Sequence, residues 1–147
     1  MTDLDAFVEA MLPRLEAADT ALHNGDASKR AAMWSHVDPV TLFGAAFTAS
    51  GWSAIGPTFD LLASRFSNCT SWDFELLASG ASGDLAYTVG IERTTASVAG
   101  APPTAYALRV TTIFRREDGA WKVVHRHGDP YDDAAGDLVS RLASPDP

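Results

Sequence analysis

The segment at residues 106–129 constrains the fold more than any other part of this chain. Two runs rich in β-branched and aromatic residues flank Glu117-Asp118-Gly119, and Asp-Gly between such runs is a strong hairpin signal. Each run has about ten residues, against a usual strand length of five or six. Strands of that length are typical of the central ribbon of a larger curved sheet. The sequence therefore predicts a long antiparallel hairpin at the centre of the fold.

Hydrophobic residues recur at three- and four-residue steps along residues 4–22, which predicts an amphipathic helix capped by Thr2 or Asp3. Pro13 predicts a kink or a break in it, because proline costs about 3 kcal/mol in a helix interior. A second short helix through residues 31–34 and a third that opens at Ser53 are predicted to follow. Between them, residues 37–46 contain a predicted strand and residues 48–51 a predicted loop.

After Phe66 the hydrophobic period changes from 3.6 to 2, which predicts two more strands before the hairpin, near residues 72–77 and 85–92. Helices first and strands later indicate an α+β fold, with three N-terminal helices packed on a strongly curved, mainly antiparallel sheet. We expect residues 1–132 to form a single domain. Residues 133–147 are expected to be a largely disordered tail, with at most one helical turn near residues 138–142.

Composition narrows the range of partners. The formal net charge of −8 disfavours nucleic acid and anionic membrane surfaces, because both are negatively charged. Cys69 is the only cysteine, so an intrachain disulfide is impossible and a reducing, cytoplasmic location is expected. The acidic N-terminus does not fit a signal peptide, and no apolar run is long enough to span a membrane.

The chain resembles the SnoaL-like branch of the nuclear transport factor 2 superfamily, which includes ketosteroid isomerase, polyketide cyclases and the calmodulin-dependent kinase association domain. The resemblance covers roughly residues 15–129 and implies a cystatin-like cone with a pocket at its mouth. The residues that carry it are His23-Asn24-Gly25-Asp26, Gly51-Trp52-Ser53-Ala54-Ile55, Ala86-Tyr87-Thr88-Val89, Arg109-Val110-Thr111 and the hairpin segment 118–127.

Ketosteroid isomerase uses a carboxylate base, a tyrosine and a protonated aspartic acid. Matching the motifs without gaps places the tyrosine at Ala18, the base at Leu42 and the acid at Thr112. Asp38-Pro39-Val40 imitates the sequence around the isomerase base but lies four residues out of register. All three groups are missing, so the sequence argues against steroid isomerisation by that mechanism.

The resemblance implies a pocket lined by side chains from the sheet and the helices. On the sheet it implies Tyr87, Val89, Ile91, Val110, Thr112, Phe114, Val124 and Arg126, and on the helix side Trp34, Phe43, Trp52 and Phe59. A small hydrophobic or aromatic molecule would suit such a lining. The alternative is that the aromatic residues only form the core.

Arg126 is the most specific candidate in the predicted pocket. An inward arginine is costly unless it meets an anion or a buried carboxylate, so it is predicted to bind a carboxylate or enolate oxygen, or else to pair with Glu75 or Glu92. Tyr87 would help to stabilise the enolate oxygen, and Tyr106 is a further possible donor.

His127 or Asp38 would move the proton in such a reaction. Asp38 could act with the neighbouring His36 as an acid–base pair, or it could simply form the turn before Pro39. Alternation alone does not orient the last strand, but the resemblance places His125 and His127 on the outer face. There they could bind a metal only with a third ligand such as Asp129, and we predict neither a metal site nor a cofactor.

Three functions follow as hypotheses. The first is a cofactor-independent isomerase, cyclase or hydratase that acts on a small hydrophobic carbonyl compound. The second is a non-catalytic association module, and the third is a ligand-binding protein without chemistry. A homodimer through the convex sheet face is expected in addition, because Val123, Ile113 and the two histidines would make that face too apolar to remain wet.

Overall fold

The computed structural model describes residues 1–144, which form four helices and six strands. The helices are α1 (Asp3–Leu22), α2 (Ser28–Met33), α3 (Trp52–Arg65) and α4 (Asp133–Ala143). The strands are β1 (Thr41–Phe43), β2 (Thr48–Ser50), β3 (Phe66–Ser82), β4 (Leu85–Val98), β5 (Thr104–Glu117) and β6 (Ala120–Pro130). The predicted α+β order is confirmed. Two segments differ from the prediction, because β2 forms where a loop was predicted and α4 forms where a disordered tail was predicted.

The six strands form one sheet in the order β2-β1-β6-β5-β4-β3, with β5 and β6 in its interior. Among the described strands, β1 and β6 pair in parallel, and the other neighbours are antiparallel. The predicted hairpin is therefore present and central. Asp118 and Gly119 both have positive φ, 51° and 81°, as a two-residue type I′ turn requires.

A β-bulge interrupts the hairpin and decides which side chains of β6 point inward. Ile113 pairs with His125, but the next residue, Phe114, pairs with Val123. Val124 is therefore an extra residue in β6, and such an insertion bends the strand and breaks its alternation. As a result Val123 and Arg126 both face the helices although they are three residues apart.

The first helix supplies much of the core on the concave face of the sheet. Its buried stripe is Phe7, Met11, Leu15, Ala18 and Leu22, and the ring centroids of Phe7 and Phe114 lie 5.0 Å apart. Thr2 and Asp5 form a capping box at its start, which confirms one of the two predicted caps. The helix runs through Pro13 without a break, because burial of this stripe outweighs the cost of one proline.

The C-terminal segment corrects the prediction of a largely disordered tail, because Asp133–Ala143 is a helix. Ala135, Leu138 and Leu142 are buried in it and pack with the aromatic rings of Phe66 and Tyr106. The Asp132 carboxylate caps its first turn by accepting from the Ala135 amide at 2.8 Å. The remaining residues, 145–147, lie outside the described part of the chain. None of the described helices is both long and apolar enough to cross a membrane.

Candidate functional site

A cavity of about 60 Å³ lies between the concave face of the sheet, α4 and the 44–47 segment. Most of its wall is aliphatic or aromatic, with Leu42, Phe47, Leu108 and Leu138 among its lining residues. One side is polar and carries His23, Arg30, Glu92, Tyr106 and Arg126. An apolar enclosure with a few convergent polar groups is the usual form of a small-molecule site.

Arg126 and Glu92 form a bidentate ion pair at this polar side. Arg126 Nη1 donates to Glu92 Oε2 and Nη2 to Oε1, both at 2.8 Å, and the two side chains are only 11% and 6% exposed. Burial by itself lowers the pKa of Arg126, but the Glu92 carboxylate outweighs burial and holds the pKa above its ordinary value. The predicted inward orientation of Arg126 is confirmed. Of the two predicted partners, an anionic ligand oxygen or a buried carboxylate, the structure shows the carboxylate of Glu92.

His23 and Tyr106 form the second polar pair, joined by a hydrogen bond of 2.5 Å between Nε2 and the phenolic oxygen. The other ring nitrogen, Nδ1, lies 2.7 Å from the Asp19 carbonyl oxygen. Burial lowers the pKa of His23 from 6.5 to about 4, although Asp19 opposes the shift. Burial, and then the charge of Glu92, also raises the pKa of Tyr106 above its ordinary value. Both groups are therefore uncharged at neutral pH.

A second buried ion pair joins Asp19 on α1 to Arg30 on α2. Burial alone would raise the pKa of Asp19, but Arg30 and then Arg126 reverse this, and the pKa lies below its ordinary value. The Arg30 guanidinium also lies over the Phe59 ring, 5.4 Å from its centroid, a cation–π contact. The whole cluster thus contains two arginines, two carboxylates and two neutral rings, and its net charge is zero.

Arg126 also borders a second, smaller cavity of about 20 Å³, whose wall includes Asp19, Arg30, Trp34 and Thr112. That volume is roughly what one water molecule requires. Trp34 and Thr112, two of the predicted ligand-binding residues, therefore lie beside Arg126. They line the smaller cavity and not the main one.

The other predicted ligand-binding residues lie away from the main cavity. Phe59 and Phe114 are fully buried core residues, as the alternative interpretation proposed. Trp52 stacks on His36 with ring centroids 3.8 Å apart. Phe43 is 45% exposed and Val89 lies on the outer face of β4, which the cavity does not reach.

Tyr87 does not lie in the cavity, and the prediction that it faces inward is wrong. It pairs with Ile113, whereas Thr88 pairs with Thr112 on the concave face, so Tyr87 points outward and is 44% exposed. The resemblance to the family assigns the inward face of β4 with a shift of one residue. Such a shift moves every side chain of a strand to the opposite face. On β4, the apolar side chains of Tyr87 and Val89 therefore face outward, and the polar side chains of Thr88 and Glu92 face inward.

The two predicted proton carriers also lie outside the cavity. His127 is exposed on the outer face, where its ring centroid is 5.6 Å from that of Phe43. Asp38 accepts a hydrogen bond from the Trp52 amide at 2.9 Å and so stabilises the start of α3, while His36 donates to the Ala31 carbonyl. The structure thus gives Asp38 a structural partner rather than the predicted acid–base partner. Within residues 1–144, no group of three or more His, Cys, Asp or Glu side chains is placed to hold a metal ion.

Sequence reasoning missed His23, Asp19 and Arg30 as site residues, considered Glu92 only as an ion-pair partner and gave Tyr106 second place to Tyr87. A signal was present in the α1 stripe, because Asp19 and His23 are polar residues one turn apart beside its buried positions Ala18 and Leu22. Polar side chains at such positions indicate partners from elsewhere in the fold.

The comparisons with known proteins agree with this architecture. The sequence profile of the SnoaL-like domain matches residues 13–130, and no curated protein sequence matches the chain. An uncharacterised protein with a cystatin-like fold from Caulobacter vibrioides is 14% identical, with 93% of this chain and 96% of that chain covered and a TM-score of 0.67.

Two further solved structures carry provisional functional names. A protein provisionally assigned as a dehydratase of the NTF2-like family, from Streptomyces avermitilis, is 20% identical, covers 84% of this chain and 98% of its own, and has a TM-score of 0.61. A provisional calcium/calmodulin-dependent kinase II association domain from Exiguobacterium sibiricum is 11% identical, with coverages of 90% and 96% and a TM-score of 0.65. At these identities the likeness concerns the fold alone, and it agrees with the predicted cystatin-like class.

Proposed function

Since this chain belongs to the SnoaL-like domain family, we propose that it binds a small, mainly apolar molecule in the cavity beneath α4. The ligand's polar group lies at the side lined by His23, Glu92, Tyr106 and Arg126. The observation that carries this proposal is the mainly apolar cavity with one polar wall. Its volume of about 60 Å³ is below the roughly 150 Å³ of a cavity that holds benzene. The ligand is therefore smaller than benzene, or α4 and the 44–47 segment move outward when it binds.

The reaction class that fits this wall is proton transfer on a small carbonyl compound, as in a cofactor-independent isomerase, cyclase or hydratase. Such a reaction needs a proton acceptor and donors for the developing oxyanion. The neutral His23–Tyr106 pair would serve as the acceptor. Arg126 uses two of its five N–H groups on Glu92, and the others would serve as donors. His23 and Tyr106 thus take the proton-transfer role predicted for His127 and Asp38, and Arg126 keeps its predicted role as a donor to the oxyanion without Tyr87.

Native mass spectrometry of the purified chain tests ligand binding. We expect a carried-over molecule of defined mass that is lost in Val139→Phe, because Val139 lines the cavity and a phenyl ring would fill it. Val37→Phe is the matched control, since Val37 is 63% exposed and lies outside the cavity. The proposal fails if neither a carried-over molecule nor binding by any small hydroxy or carbonyl compound is detected.

The outer sheet face favours a second candidate function, which is self-association. Leu85, Tyr87 and Ile113 are 56%, 44% and 36% exposed and lie along one groove of that face. Adjacent exposed apolar side chains of this kind mark interaction surfaces. We propose a homodimer through this face. Light scattering distinguishes it from a non-catalytic association module, for which a large ring is expected.

A further inference from the structure

The direction of the hydrogen bonds at His23 follows from the groups that surround its ring. A carbonyl oxygen can only accept, so the contact between Nδ1 and the Asp19 carbonyl at 2.7 Å places a hydrogen on Nδ1. In a neutral imidazole Nε2 then carries a lone pair and accepts. The 2.5 Å contact between Nε2 and Tyr106 is therefore a bond that the tyrosine hydroxyl donates.

Tyr106 consequently has no hydrogen left for a ligand. Its only hydroxyl hydrogen is directed at His23, and its oxygen can still accept a bond. Glu92 presents further acceptor oxygens on the same wall, since a carboxylate can accept more bonds than the two that Arg126 makes. The wall near Tyr106 therefore offers acceptors, with N–H donors beside them on Arg126.

The charges of this wall are already balanced. Glu92 compensates Arg126 and Asp19 compensates Arg30, with each pair in direct contact. A carboxylate ligand would add a negative charge beside Glu92 and the Tyr106 oxygen, and bringing an uncompensated charge into such a site is costly.

We infer that the polar group bound at Tyr106 belongs to an uncharged hydroxy compound (an alcohol, a phenol or an enol) that donates to the Tyr106 oxygen and accepts from Arg126. A ketone can accept from Arg126 but cannot donate to the Tyr106 oxygen. A carboxylate can also accept from Arg126, but its charge is repelled by Glu92. This inference deepens the proposed function and rests on it. It also revises the sequence-based expectation that Arg126 binds a carboxylate or enolate oxygen.

The test is a titration of the full chain at neutral pH with three compounds of similar size, namely propan-2-ol, acetone and acetate, each of which is smaller than benzene. Amide chemical shifts in ¹H–¹⁵N NMR spectra report both the dissociation constant and the place of binding. We expect shifts at Tyr106 and its neighbours, and a dissociation constant for the alcohol roughly two- to tenfold below that of the ketone, as one neutral hydrogen bond provides. The carboxylate should bind most weakly.

Tyr106→Phe should remove the preference for the alcohol, while the matched control Tyr131→Phe, at a side chain that is 53% exposed, should keep it. If Tyr106→Phe does not fold, the ranking measured on the unaltered chain still decides. Tightest binding of the ketone or the carboxylate at Tyr106 would overturn the inference and leave the proposed function intact. No shift with any of the three, together with a negative mass-spectrometric result, would overturn the proposed function itself.

Discussion

Arg126 on β6 and Glu92 on β4 contact each other across the intervening strand β5 through two hydrogen bonds of 2.8 Å. This contact links β6 to β4 over the concave face of β5 and neutralises the guanidinium that the sequence singles out. Arg126 therefore has a structural partner within the chain itself.

Removal of one partner of this pair should destabilise the chain more than removal of both. Arg126→Leu or Glu92→Leu alone leaves a buried charge unpaired, and we expect each to lower the free energy of unfolding by about 3–5 kcal/mol. The double variant should lose much less free energy of unfolding than the two single variants lose together. Urea unfolding of the unaltered chain, the two single variants and the double variant measures the difference. Arg109→Leu is the control, because the Arg109–Asp129 pair is 62% and 42% exposed and should contribute little. Additive losses at Arg126 and Glu92 would show that the pair does not act as a unit.

Acid should destabilise the fold through His23 before the carboxylates are protonated. The pKa of His23 is about 4 in the folded chain against 6.5 for an ordinary histidine, so the unfolded chain binds the extra proton first. Stability is therefore complete above pH 6.5 and is lost as the pH falls from 6.5 to about 4. Because one pKa unit corresponds to about 1.4 kcal/mol, the loss amounts to about 3 kcal/mol.

Unfolding free energies measured across that pH range for the unaltered chain and for His23→Gln check this prediction. The charged groups around His23 are Asp19 on α1, Arg30 on α2 and Arg126 on β6, and Tyr106 faces it from β5. The pKa of Asp19 is held below its ordinary value and the arginines stay charged. Burial also lowers the pKa of His125, so the difference in pH slope between the two forms isolates the contribution of His23. Equal pH slopes for both forms would contradict the assignment.

Two tyrosine-to-phenylalanine variants separate the observed site from the one that the sequence predicts. If the cavity catalyses proton transfer, Tyr106→Phe should slow it by roughly tenfold or more, because the Tyr106 hydroxyl belongs to the proposed proton acceptor. Tyr87→Phe should have no effect, since Tyr87 lies on the outer face. The measurement is deuterium exchange at the methyl carbons of acetone, next to its carbonyl group, followed by NMR. A loss in Tyr87→Phe with none in Tyr106→Phe would restore the sequence-based assignment.

Asp38 should matter for stability and not for chemistry. Its carboxylate accepts from the Trp52 amide at the start of α3, a capping contact whose loss costs about 1 kcal/mol. We expect Asp38→Ala to lower the free energy of unfolding by that amount. Asp38→Asn should keep most of it, because an amide oxygen still accepts. Proton exchange that is lost in both variants would instead support the predicted role of Asp38 as a proton carrier.

The proposed dimer should depend on the outer face of the hairpin. Ile113→Lys places a charge among exposed apolar side chains, and we expect light scattering to detect a monomer. Val37→Lys, which replaces an equally apolar residue that is 63% exposed outside the sheet, should remain dimeric. A monomeric unaltered chain, or a dimeric Ile113→Lys, would contradict this interface.

Several elements of the fold could be predicted because their signals are local. The Asp118-Gly119 turn, the α1 stripe and the change of period after Phe66 each depend on residues close together in the chain. The α4 helix was not predicted, because its apolar positions, Ala135, Leu138 and Leu142, become a helix only against the surface of Phe66 and Tyr106. An isolated helix of that length is marginal in water.

The candidate site depends on tertiary structure for a different reason. Both faces of β4 are plausible inner faces, since Tyr87 and Val89 are the more apolar side chains and yet Thr88 and Glu92 face the cavity. The inserted Val124 disrupts the alternation in β6, so neither strand reveals its inward residues by pattern. The sequence by itself determined the hairpin, the helices α1 to α3 and the family, because these follow from local periodicity and motifs. Only the tertiary structure brought His23 to Tyr106 and Arg126 to Glu92, because strand register and a single bulge decide which distant side chains meet.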